Sequence, residues 1–180
     1  MKLVALLGLL VCTPLAAAQI QSLRVDHERG NYSVSMRVLL DVPAAQAYAV
    51  FADPRNLSAI NPAVQEVQVL PDGELYTRVR ACAGLFCKTM RQQQQMHYTP
   101  RADGGQILAL VVPGDSDLRS GVAHWEFRAL GRRTLLDFNA ELEPAFWIPP
   151  FVGPWLVENS LREEAQRTSS GIEQLARAKR

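Results

Sequence analysis

Three histidines, a cysteine pair, a run of four glutamines and a handful of tyrosines are the side chains here with chemistry to offer, and their spacing limits what that chemistry can be. His27 sits in the charged segment VDHERG ahead of the first clean strand pattern, which suits a surface. His97 and His124 fall on outward positions by strand alternation. No two histidines have a local spacing that suits a metal, so no metal site is expected. No G-x-S-x-G occurs, and Cys82 and Cys87 are better explained by pairing with each other than as free nucleophiles. They flank a four-residue turn with Gly84, at the top of a hairpin. A bridge there closes a small loop, and chain entropy gives it about 2 kcal/mol. Tyr32 and Tyr98 are inward candidates for acid–base work, but no catalytic residue is assigned and no cofactor is expected.

The glutamines carry more information. In MRQQQQMHY, alternation turns Gln92 and Gln94 one way and their neighbours the other. An inward amide in a packed core costs on the order of 1 to 3 kcal/mol without a partner. Gln92 and Gln94 facing inward therefore imply a partner, a water or a ligand, with Met90 and Met96 as an adaptable apolar wall beside them. A register slip of one residue would send both outward.

The elements that must position these groups follow from periodicity. NYSVSMRVLLDV alternates, with Tyr32, Val34, Met36, Val38 and Leu40 on one face. Pro43 opens a short helix with Ala44, Ala47 and Phe51 on one side, and RNLSAI makes a second helical turn before Asn61-Pro62. Strand signals then follow at 64–70, 75–82, 87–98, 107–112, 122–130 and 134–142, separated by turns that include Asp103-Gly104-Gly105. This is an antiparallel meander of about seven strands. A two-residue loop at Gly131-Arg132 sets Trp125 opposite Phe138, Phe127 opposite Leu136 and Ala123 opposite Ala140. The same exercise on the cysteine hairpin sets Val79 beside Met90, Thr77 beside Gln92 and Leu75 beside Gln94, with Arg78, Arg80 and Arg91 outside.

From Pro154 to about Ala178 the pattern is a long helix whose sheet-facing stripe is Val157, Leu161, Ala165, Thr168, Ile172 and Leu175. The stripe is slim at Ala165 and Thr168, so the helix can rest on the sheet at both ends and leave a gap beneath its middle. Leading into it, EPAFWIPPFVGPW concentrates Phe146, Trp147, Phe151 and Trp155 among four prolines. This collar either plugs the end of the sheet or forms a lip at the hollow and a contact with a membrane.

Residues 1–18 carry Lys2, an apolar run from Leu3 to Cys12 and Ala16-x-Ala18, the pattern of a secretory signal peptide cleaved near Ala18. Residues 19–180 then form a single domain, expected in the periplasm. The chain has 19 Lys and Arg against 18 Asp and Glu, so loss of Lys2 with the leader leaves a balanced charge and no sign of a nucleic-acid partner.

A strand, two short helices, a run of antiparallel strands and a long C-terminal helix resemble the START-like, or helix-grip, superfamily of polyketide cyclases, coenzyme Q-binding proteins and related binders of apolar molecules. VPAAQAYAVFADPRNLSAINPAVQEVQVL, GVAHWEFRAL and REEAQRTSSGIEQLA are the stretches that look like it. The resemblance implies an α+β fold in which a curved antiparallel sheet wraps around the last helix, with a cavity between them for a hydrophobic or amphipathic ligand. On this reading the ligand-binding residues are Met36, Thr77, Met90, Gln92, Gln94, Met96, Trp125, Phe127, Phe138, Phe146, Trp147, Phe151, Leu161, Ala165 and Thr168. Partners are an apolar small molecule and, transiently, a membrane surface. The alternatives are a cyclase or dehydratase that uses a tyrosine, and an interaction protein with a filled core.

Overall fold

The alternation of NYSVSMRVLL becomes the strand Asn31–Leu40, but the computed structural model, which describes residues 18–83, 86–148 and 153–179, places another strand before it. In chain order the elements are β1 (Gln19–Glu28), β2 (Asn31–Leu40), α1 (Ala44–Phe51), a 3-10 turn (Pro54–Asn56), α2 (Leu57–Ile60), β3 (Val64–Val69), β4 (Leu75–Ala83), β5 (Phe86–Arg101), β6 (Gly104–Val111), β7 (Leu118–Leu130), β8 (Arg133–Pro144) and α3 (Gly153–Ala178). They form one eight-stranded antiparallel sheet, ordered β1-β2-β8-β7-β6-β5-β4-β3. The extra strand is β1. Its register shifts between Ile20 and Ser22, so its inward residues do not keep a two-residue period and it reads as charged coil. His27, expected ahead of the strands, lies within it, with its ring 4.5 Å from that of Tyr32.

Both predicted hairpin registers are present: Trp125 pairs with Phe138 and Phe127 with Leu136, while Thr77 pairs with Gln92 and Leu75 with Gln94. Cys82 faces Cys87 and the two are joined by a disulfide. Gly104 and Gly105, expected in a turn, instead begin β6 at φ 143° and 156°, conformations that favour glycine. The reason is α1: a Cβ at Gly105 would lie 2.5 Å from the Tyr48 ring, so the bare backbone lets α1 settle on the sheet. Pro43 supplies the extended residue before α1, and Asp53 starts the 3-10 turn by accepting from the Arg55 backbone N–H.

The core lies between the inward face of the sheet and the helices, and includes Val38, Leu40, Val42, Ala47, Phe127 and Ile172. α3 packs across β1, β2 and β4, while α1 covers β6, β7 and β8. Near its C-terminus α3 is latched by a buried carboxylate. Glu173, 3% exposed, accepts from the Asp41 backbone N–H at 2.7 Å and pairs with Arg177 at 3.3 Å. Removing one side of a buried charged contact leaves the other unsatisfied. Glu173→Ala should therefore lower the unfolding free energy by about 3 kcal/mol, seen as a lower urea midpoint at constant m-value. An unchanged midpoint would mean that packing alone holds the helix.

Candidate functional site

The inward side chains of the sheet do not all reach α3. Beneath the middle of the helix, where Ala165 is 6% exposed and Thr168 half-buried, a cavity of about 260 Å³ opens between helix and sheet. That is just below the usual range of ligand pockets, about 300 to 1,000 Å³.

Each wall follows from a local pattern. Alternation along β4 and β5 sends Leu75, Thr77, Gln92, Gln94, Met96 and Tyr98 into the space. Gln93 and Gln95 point the other way and both donate to Glu74, at 2.7 and 3.2 Å, which fixes the orientation of the glutamine run. The inward register thus holds, with no slip. β7 and β8 contribute Trp125 and Phe138, with ring centroids 5.1 Å apart. Met36 comes from β2, and Leu161, Glu164, Ala165 and Thr168 from α3. The segment after α1 closes one side with Phe51, Pro54, Leu57, Ile60 and Asn61.

Polar groups stand on two opposed walls. On the helical side Asn61, 6% exposed, donates through Nδ2 to Glu164 Oε2 at 2.5 Å and to Thr168 Oγ1 at 3.0 Å, while its Oδ1 accepts from the Ala63 backbone N–H. Glu164 also binds Arg167 at 2.7 Å. On the sheet side the Thr77 hydroxyl and the Gln92 and Gln94 amides have no side-chain hydrogen bond among the described residues. Burial first, then Tyr48 and Asp53, raise the Tyr98 phenol above its ordinary value, so it stays protonated at neutral pH.

Ten of the predicted ligand-binding residues line this cavity: Met36, Thr77, Gln92, Gln94, Met96, Trp125, Phe138, Leu161, Ala165 and Thr168. Four lie elsewhere. Phe127 is 1% exposed under α1, with its ring 6.0 Å from Tyr48 and 5.6 Å from Phe51, so it is core. Met90 lies opposite Val79 toward the cystine end of the hairpin, and is not part of the lining. Phe146 and Trp147 are carried away from the cavity because the Ala145 N–H bonds to Asp117 O, beyond the end of the sheet. There Lys88 Nζ sits 4.2 Å above the Phe146 ring and Trp147 is 78% exposed. Phe151 lies outside the described residues. Tyr32 is buried beside His27 and does not reach the cavity.

Sequence reasoning missed Phe51, Pro54, Leu57, Ile60, Asn61, Glu164 and Leu136. Asn61 before Pro62 reads as a turn residue, and only its distant partners on α3 make it part of a wall. A second, more open depression lies on the sheet among Asp26, Ser33, Ser35, His124 and Asn139.

A family model described as polyketide cyclase / dehydrase and lipid transport matches residues 32–177. No curated protein sequence matches the chain. Among solved structures, the Zhui aromatase/cyclase of a Streptomyces species is 16% identical, covering 83% of this chain and 95% of that one at a TM-score of 0.61. A START superfamily protein of Mycobacterium smegmatis is 20% identical, covering 79% and 98% at 0.63. Human STARD10 is 13% identical, covering 87% and 75% at 0.61. At these identities the structural likeness establishes the fold.

Proposed function

Because this chain belongs to the polyketide cyclase / dehydrase and lipid transport family, we propose that it binds and carries a hydrophobic or amphipathic small molecule between its sheet and α3. The observation that carries the reading is the cavity of about 260 Å³ under Ala165, apolar over most of its lining and provided with a few polar side chains, Thr77, Gln92 and Gln94, that make no side-chain hydrogen bond among the described residues. Burial of apolar ligand surface, at roughly 25 cal/mol per Å², supplies most of the affinity, less the cost of ordering the ligand. Thr77, Gln92, Gln94 and Thr168 orient its polar end.

We further propose that the protein is exported to the periplasm. Cleavage after Ala18 would leave every strand whole, because β1 starts at Gln19, and the Cys82–Cys87 disulfide suits an oxidising compartment. Trp147 and Trp155, 78% and 64% exposed, are suited to transient contact with a membrane surface during loading, since indole rings partition to the interface.

Native mass spectrometry of protein purified from the periplasm without detergent tests both parts. The expected spectrum shows a chain beginning near Gln19 with an additional small mass that organic extraction removes. A ligand-free chain that also takes up no apolar compound on incubation would overturn the binding reading, and a retained leader would overturn export. Cyclase chemistry is the second reading. Tyr98 and Glu164 are the ionisable groups in the cavity lining that favour it, and a released compound differing from the one supplied would establish it.

A further inference from the structure

The chemistry of the cavity walls says more about the guest than that it is greasy. Among the described residues, the lining contains no Lys, Arg or His, and its one carboxylate is Glu164. That carboxylate is already compensated: Arg167 binds one oxygen at 2.7 Å and Asn61 the other at 2.5 Å. The second arm of Arg167 is held by Glu163 at 3.1 Å, and with its side chain 47% exposed the guanidinium sits on the outer side of α3. A carboxylate or phosphate brought into this space would lose its water and find no cation in the lining to replace it. Uncompensated burial of a charge costs several kcal/mol. A cationic head meets a single carboxylate, Glu164, whose two oxygens already accept from Arg167 and Asn61, so it gains less there than at a free carboxylate.

The groups that remain available are neutral. Thr77 is 6% exposed, lines the cavity and has no side-chain hydrogen bond among the described residues. Gln92 lies directly across the strand pair from it, and Gln94 is the next residue on the same face. A hydroxyl and two amides in a row offer both donors and acceptors without charge, the complement of an alcohol or a carbonyl. Size adds a second limit. At about 260 Å³ the cavity falls just below the usual range of ligand pockets, about 300 to 1,000 Å³, which suits a single-chain or few-ring molecule better than a two-chain lipid.

We infer that the cavity selects a small neutral amphiphile whose hydroxyl or carbonyl is received by Thr77, Gln92 and Gln94, and that it discriminates against anionic head groups. This rests on the proposal that the cavity is a ligand site.

The test compares three probes with one tail, 1-decanol, decanoate and decylammonium, by titration calorimetry of the intact exported protein at pH 7.4. Decanol is expected to bind at least tenfold more tightly than either ion. Decanoate binding as well as decanol would overturn the neutral-head inference and leave the ligand site standing. No binding of any of the three would overturn the ligand site itself. In Gln94→Lys, checked for folding by its thermal melt, decanoate should gain at least tenfold over its affinity for the parent. Unchanged decanoate affinity in a folded Gln94→Lys protein would remove the row of polar residues from the recognition of the head group.

Discussion

An Ala165→Phe protein should melt close to its parent yet bind decanol at least a hundredfold more weakly. Ala165 is 6% exposed on the deep face of α3 and its methyl lines the cavity, one helical turn from Leu161 and three residues from Thr168. A phenyl ring at this position has space to enter that a packed core would deny it. Burying it contributes about 1.5–3 kcal/mol, against about 1–3 kcal/mol for imperfect fit, so the two roughly cancel in stability. The ligand, by contrast, loses its volume outright, and a hundredfold loss corresponds to about 2.8 kcal/mol. Calorimetric titration alongside a thermal melt separates the outcomes. Parental affinity in a folded Ala165→Phe protein would show that ligand does not sit under the helix.

Gly171→Ala is expected to have the largest effect on stability of any single methyl added to α3. Its Cβ would lie 2.0 Å from the carbonyl oxygen of Ile60 and 2.7 Å from that residue's Cα, both backbone atoms that cannot swing aside. In an exposed helix the change would favour folding by about 1 kcal/mol. Here overpacking against α2 exceeds that gain, and a net loss of about 3 kcal/mol is expected, or a melting temperature lower by roughly 10 °C for a chain of this size. The helix can relieve the clash only by backing away from α2. That movement separates Thr168 from Asn61, now 3.0 Å apart, and distorts the polar wall, so decanol affinity should fall as well. A melting temperature within 2 °C of the parent would show that the close approach of α3 to α2 is not required.

These two residues also mark how far the sequence could be read. Ala165 was visible because a small residue in an otherwise bulky helical stripe is a local signal, and the strand partners of the cavity were visible because hairpin turns set register: Gly131-Arg132 places Trp125 against Phe138, and the cysteine turn places Thr77 against Gln92. Gly171 and Asn61 were not, because their roles exist only between segments more than a hundred residues apart. Phe127 carries the same inward signature as Trp125, and nothing local tells that α1 covers one and leaves the other at the cavity. β1 escaped through its irregular register. The aromatic collar was legible only in part: its composition announces the exposed apolar surface that Trp147 and Trp155 present, but the Ala145 to Asp117 hydrogen bond, which carries Phe146 and Trp147 away from the cavity, has no local signal.

The order of the strands sets a timetable. β2 pairs with β8, Tyr32 against Leu142, so the sheet cannot be assembled until nearly the whole chain is present, and pairing across such separations makes for slow folding. The roof of the chamber arrives later still, on the final helix. On the binding reading proposed above, a chain released N-terminus first would have nowhere to house a guest until its last two dozen residues are free, and loading would be the closing event of its maturation.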